Sequence, residues 1–77
     1  MTKEEFNSLK FMLGQAKQAR NSLGRIAASL KDSQIKGKDP YFGVKDAGYF
    51  LDEAASKAGF AIGQFEMFLS NEATGVS

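Results

Sequence analysis

Apolar residues recur at alternating spacings of three and four positions along two long stretches of the chain. This spacing places side chains in one stripe along an α-helix and is typical of the heptad pattern of packed helices. In the first stretch, one position of the stripe is occupied by the charged residue Arg20. The first series is Phe6, Leu9, Leu13, Ala16, Arg20, Leu23, Ala27 and Leu30, widened on one flank by Met12, Ala19 and Ile26.

The second stretch has the same spacing without a polar interruption, and a parallel row of small and apolar residues accompanies it. A helix that is apolar over such a wide arc is expected to contact more than one neighbour. The second series is Val44, Ala47, Leu51, Ala54, Ala58, Ala61, Phe65 and Phe68, and the parallel row is Gly48, Ala55, Ile62 and Leu69.

The start of the first helix carries a capping signal. Thr2 followed three residues later by Glu5 matches a capping box, in which each side chain accepts a hydrogen bond from the other residue's backbone N–H. We therefore predict a helix over about residues 3–31.

The connection to the second helix is short. Asp39 and Pro40 are interpreted as an N-cap and first-turn pair, and the second helix is placed at about 44–70. A loop over about 32–43 makes the two helices antiparallel neighbours. We predict a single all-α domain over residues 1–77, an antiparallel hairpin of two long helices that assembles into an oligomeric helical bundle.

The length of the chain also favours an oligomer. A core built from 77 residues supplies only a few kcal/mol of net stability, and small domains often gain the rest by association. Phe11, Phe60 and Met67 fall outside the main stripes, so they are candidates for contacts between chains.

The chain has neither cysteine nor histidine. This removes disulfides, thiolate metal ligands, a cysteine nucleophile and the commonest general base. Asp52 and Glu53 are adjacent, so on a helix they point about 100° apart, and we interpret them as solvated. The glycines lack the spacing of a phosphate-binding loop. We therefore expect no enzymatic activity, no catalytic residues, no metal site and no cofactor.

The chain shows no signal-peptide pattern at its start. It also lacks an apolar run of about 18 residues, the length that a membrane span requires. These features predict a cytoplasmic protein without a membrane partner.

Charge is divided unevenly along the chain, although the net charge is only +1. Residues 1–38 hold eight Lys or Arg and three acidic residues, whereas residues 39–77 hold two and six. This division indicates either that the two halves pair with each other or that the basic half holds an anion.

Arg20 is the main binding candidate in the first helix, together with Arg25. A guanidinium at a core-facing position needs either an acidic partner or an anionic ligand, so a structural ion pair is the alternative. Lys10, Lys17 and Lys31 share one heptad position beside the stripe and form a basic edge.

The loop combines lysines with aromatic rings. Lys36 and Lys38 supply positive charge, and Tyr41 and Phe42 supply flat rings that can stack on nucleobases. The alternative is that the two rings cover the open end of the hairpin core.

The segment "LDEAASKAGFAIG", residues 51–63, resembles the second hairpin helix of a family of small phage proteins. These share a Leu-x-Glu-Ala…Gly-x-Ala-Leu/Ile-Gly pattern. The family is that of the phage anti-CBASS sponges, whose hairpin domain also recurs in some Thoeris anti-defence proteins. The matched residues are Leu51, Glu53, Ala54, Gly59, Ala61, Ile62 and Gly63.

The resemblance implies a viral immune-evasion protein that acts without catalysis in the cytoplasm of an infected bacterial host. It implies a hexamer that sequesters cyclic di- and trinucleotide messengers in pockets between chains. The assembly positions would be Leu51, Ala54, Gly59, Ala61, Ile62 and Gly63.

The ligand contacts are inferred from chemistry instead. Arg20, Arg25, Lys36 and Lys38 are assigned to phosphates, and Tyr41 and Phe42 to base stacking. The alternative from the residues is an oligomeric hairpin adaptor or inhibitor that binds a host protein or a nucleic acid, of which a nucleic acid is the less favoured partner.

Overall fold

The computed structural model describes residues 1–39, 41 and 43–76 and consists of two long α-helices that pack as an antiparallel hairpin. Helix α1 spans Lys3–Lys31, α2 spans Val44–Glu72, and a 3₁₀ turn follows at Ala73–Gly75. The described residues contain no strand. The predicted hairpin is confirmed, and α2 ends two residues later than predicted. The hairpin is a rod of 58 × 16 × 15 Å.

The capping box at the start of α1 is confirmed. Thr2 Oγ1 accepts a hydrogen bond from the Glu5 N–H at 3.1 Å, and Glu5 Oε1 accepts one from the Thr2 N–H at 2.8 Å. The bond from the Thr2 backbone is the largest of the influences that lower the pKa of the exposed Glu5 carboxyl below its usual range.

The predicted N-cap of α2 is wrong. Asp39 Oδ1 accepts a hydrogen bond from the Tyr41 N–H at 2.8 Å, so this side chain stabilises a turn inside the loop. The N-cap residue is Gly43, whose N–H donates to Asp46 Oδ2 at 2.8 Å. Asp39 stands four residues too early for this role, and Pro40 lies outside the described residues.

The stripe of α1 faces α2 as the spacing predicts, with Ala27 fully buried near its C-terminal end. The contact surface of α2 differs from the predicted series. Its buried row is the parallel one, Gly48, Ala55, Ile62 and Leu69, whereas Ala47, Ala54, Ala61 and Phe68 are exposed.

The close approach of the helices at Gly48 explains this rotation of α2. A Cβ on Gly48 would lie 2.9 Å from the Lys31 backbone N and 3.0 Å from the Ala27 carbonyl O. Only glycine fits between these backbone atoms, so the row of Gly48 faces α1. A single neighbour covers about two adjacent rows of a helix, and the third apolar row of α2 stays exposed.

The two long sides of the hairpin differ in chemistry. On one side, Lys17 pairs with Glu66 at 3.6 Å and Lys31 pairs with Asp52 at 3.1 Å. We call it the salt-bridge side. These pairs show the predicted attraction between the basic and acidic halves within one chain. The opposite side, here the apolar side, carries Met12, Ala19 and Ile26 of α1 and Ala47, Ala54, Ala61 and Phe68 of α2.

Neither of the two described helices combines the length and the hydropathy that a membrane span needs.

Candidate functional site

An open groove of about 770 Å³ lies between the helices on the salt-bridge side, near the middle of the hairpin. One end is marked by the ion pair of Lys17 and Glu66. The size falls in the range of about 300–1,000 Å³ that is usual for sites of small ligands. The central lining residues are Arg20, Asn21, Gly59, Phe60, Gly63 and Gln64.

Arg20 is the main cationic group of the groove. Its Cα belongs to the stripe that faces α2, but its side chain is exposed. The side chain lies across Gly59, where an added Cβ would be 3.1 Å from Nε and 3.7 Å from Cζ. The missing side chain at Gly59 therefore makes room for the guanidinium at the floor of the groove.

The described residues do not form a structural ion pair with Arg20. Their salt bridges are the Lys17–Glu66 and Lys31–Asp52 pairs, and neither includes Arg20. A guanidinium offers five N–H donors in a fixed fork, which matches the geometry of phosphate oxygens. The groove thus presents a cationic fork whose described surroundings contain no carboxylate partner.

An aromatic ring and two amides accompany Arg20. Phe60 is 80% exposed, so the face of its ring is accessible to a planar ligand. Asn21 and Gln64 contribute amide groups that can donate to and accept from the edge of a base. Sequence reasoning assigned Phe60 to contacts between chains and missed this position, because its place beside Arg20 depends on the register of the two helices.

The loop forms a second and separate cavity of about 700 Å³ at the end of the hairpin. Lys36, Lys38 and Tyr41, which were predicted to act together, all line this cavity. Asp39 and Asp46 line it as well and offset part of the lysine charge. Tyr41 is 85% exposed, so it does not cover the core of the hairpin. Phe42 lies outside the described residues.

Lys45 also borders this cavity, but its ammonium has a structural role. Its Nζ donates to the backbone carbonyl of Lys31 at 2.6 Å and thereby caps the end of α1.

The predicted ligand residues do not form one site within a chain. Eleven positions separate Arg20 from Lys31 at the start of the loop, which is about 16 Å of helix. Arg25 lines neither cavity, and its Nη2 donates to Ser22 Oγ at 3.4 Å. A pocket that combines Arg20 with Lys36 would need a second chain.

The predicted assembly residues are similarly divided. Ile62 is buried and Leu51 half-buried, and both belong to the rows of α2 that pack inside the hairpin. Gly59 underlies Arg20, and Gly63 lines the groove. Of this set, Ala54 and Ala61 are exposed on the apolar side.

Metal binding finds no support in the arrangement of acidic residues. Within the described part of the chain, no group of three or more Asp or Glu side chains is placed to hold a metal ion.

Comparisons with models of protein families, with curated proteins and with solved structures give no match to this chain.

Proposed function

We propose that the protein is a non-enzymatic binding protein that sequesters cyclic di- or trinucleotide messengers in pockets shared between chains. The observation that carries this proposal is the position of Arg20. Its guanidinium lies over Gly59 in an open groove, and no described carboxylate pairs with it. The resemblance of residues 51–63 to phage anti-CBASS sponges supports the same assignment and the role in immune evasion inside an infected bacterial cell.

The groove offers half of what a cyclic dinucleotide needs. Such a ligand carries two phosphates and two bases, and the groove supplies one guanidinium, at Arg20, and one exposed ring, at Phe60. A symmetric contact between two chains supplies each group twice without additional sequence. The groove of one chain, closed by a second chain, would therefore match both phosphates and both bases.

The loop of a neighbouring chain is the second source of ligand contacts. Lys36 and Lys38 would add positive charge and Tyr41 a ring, and all three are exposed. For these residues to meet Arg20, the loop end of one chain would have to reach the groove of another in the assembly.

The proposal is tested by titration calorimetry of the full chain against a panel of cyclic di- and trinucleotides, with a linear dinucleotide as control. A cyclic member should bind with fewer than one ligand per chain, and the linear control should bind far more weakly. If no member of the panel produces heat, the protein does not sequester cyclic nucleotides.

A hairpin adaptor or inhibitor that binds a host protein or a nucleic acid is the second candidate. It is favoured by the exposed rings of Phe11 and Phe50, which lie outside the groove and are 68% and 69% exposed. The salt dependence of binding distinguishes a nucleic acid duplex from a cyclic nucleotide as the ligand. A duplex that contacts many phosphates loses affinity steeply as salt rises, whereas a closed pocket around a small dianion loses much less.

A further inference from the structure

We infer that the apolar side of the hairpin is the interface with a second copy of this chain, and that two hairpins pack face to face as a four-helix bundle. The inference does not depend on what the 770 Å³ groove binds, because that groove opens on the opposite, salt-bridge side, although Arg20 borders both sides.

The two rows that define the apolar side are uncharged. From Met12 to Ile26 on α1 and from Ala47 to Phe68 on α2, its rows contain no charged residue. Met12, Ile26 and Phe68 are 50%, 49% and 46% exposed. Between the two helices, a shallow groove of about 240 Å³ on this side is lined by Ala19, Ala61 and other apolar residues, and by Arg20, whose side chain also borders the groove on the salt-bridge side. The corresponding rows on the other side hold both salt bridges.

The exposed area of the hairpin indicates a partner of substantial size. Its accessible surface is 6049 Å². An ordinary folded monomer of this mass exposes about 4,600 Å², so the excess is about 1,400 Å². A standard protein interface buries about 800 Å² on each partner, and obligate dimers bury more. The excess therefore lies above the standard value and within the range of about 1,000–2,500 Å² per partner that obligate dimers bury.

The small core of a single hairpin also indicates that a second copy is needed for stability. The buried apolar residues are Ala27, Ala55, Ile62 and Leu69, and no large side chain among the described residues is fully buried. Two hairpins that share one core bury the half-exposed side chains of both copies, which is how four-helix bundles are stabilised.

The chemistry of the rim fits a second copy in particular. Two identical faces repel each other when they carry like charges. Here the row beside Met12 is Gln15, Ser22 and Ser29, and the row beside Ala61 is Phe50, Lys57, Gln64 and Asn71, of which Gln64 also lines the groove of the salt-bridge side. An apolar centre with a mainly polar rim is the usual anatomy of an interface, and Lys57 is the one charged residue in these two rows.

The two rows also differ in size. Met12 and Ile26 are large, whereas α2 has alanine at three successive positions of its row. When α1 of one copy lies over α2 of the other, large side chains meet small ones and the layers interdigitate.

The first test compares the mass in solution of three full-length proteins by analytical ultracentrifugation. The wild type should sediment at a multiple of the 8.4 kDa chain mass. Ala61→Lys should shift to 8.4 kDa at the same concentration, because two ammonium groups would enter the shared core. Ala28→Lys, the same change at an exposed position off the apolar side, should keep the mass of the wild type. A wild type of 8.4 kDa, or an Ala61→Lys variant with the parent's mass, overturns the inference.

The second test does not require that a variant dissociate or fold as a monomer. Because the chain has no cysteine, a single thiol can be introduced at either position. In the assembled protein, Ala61→Cys should react with a maleimide at least about tenfold more slowly than Ala28→Cys, since only the open fraction reacts. Equal rates would show that the apolar side is not covered and would overturn the inference.

Discussion

The guanidinium of Arg20 lies across Gly59, and a Cβ added there would be 3.1 Å from Nε. The two residues stand on different helices, 39 positions apart in sequence, and their pairing creates the floor of the groove. The structural role of each residue depends on the other. The glycine makes room for a long charged side chain, and this side chain turns a bare helix crossing into a cationic site.

The first prediction concerns Gly59→Ala. The added methyl group contacts the flexible end of Arg20, which moves by a few tenths of an ångström, so the helix keeps most of its gain in propensity of about 0.8–1 kcal/mol. We therefore expect an unchanged or increased free energy of unfolding in urea and weaker binding of the cyclic nucleotide. Gly14→Ala, with nothing within 4 Å, is the control. It should stabilise the protein and leave binding unchanged, and a loss of affinity in both variants would contradict this account of the groove.

The second prediction concerns Gly48→Ala, where the contacts are backbone atoms. A Cβ at this position meets the Lys31 N at 2.9 Å and the Ala27 O at 3.0 Å, and neither atom can move without its helix. Overpacking of this kind costs about 1–3 kcal/mol, which outweighs the gain in helix propensity. Urea unfolding should show a destabilised protein. A variant as stable as Gly14→Ala would mean that the helices do not approach closely here.

The third prediction concerns the Lys31–Asp52 pair. Its N–O distance is 3.1 Å, but the Asp52 side chain is 55% exposed, so solvent and salt screen the interaction. Asp52→Asn should lower the free energy of unfolding by less than about 1 kcal/mol at low salt, and the difference should fade near 1 M salt. A large difference that persists in high salt would contradict an exposed pair.

The fourth prediction concerns pH and the capping box. Hydrogen bonds from Thr2 lower the pKa of Glu5 in the folded chain. The carboxylate therefore adds stability that is fully present above its unfolded pKa and is lost as the pH falls through the lower, folded value. Glu5→Gln keeps an acceptor for the Thr2 N–H but does not titrate. Its melting temperature should depend less on pH below about 4.5 than that of the wild type. If the melting temperatures of the two proteins change equally with pH over this range, the prediction is contradicted.

The local features of the fold could be predicted from the sequence because they depend on residues close together in the chain. The heptad stripe of α1 fixes one face, and Thr2 with Glu5 fixes its start. The rotation of α2 could not be predicted in this way. Three neighbouring rows of α2 are small or apolar, and the choice between them depends on how Gly48 packs against the distant Ala27 and Lys31.

The site shows the same limit. A charged residue in an apolar stripe identified Arg20, but its exposure depends on Gly59, and the place of Phe60 beside it depends on the same register. Lys36, Lys38 and Tyr41 do lie together at the loop. Their separation from Arg20, about 16 Å along α1, already follows from the predicted helix over residues 3–31, so the sequence itself argues against one site within a chain.

The most direct test of the central claim is the affinity of Arg20→Gln for the cyclic nucleotide that binds the wild type best, measured by calorimetry beside Arg25→Gln. Both variants remove one guanidinium from α1, but Arg25 lies outside the groove. Loss of a hydrogen bond to a charged group costs about 1.5–3 kcal/mol, so Arg20→Gln should bind roughly tenfold to a hundredfold more weakly. Arg25→Gln should bind as tightly as the wild type. Equal affinities of the two variants would contradict the assignment of the groove as the binding site.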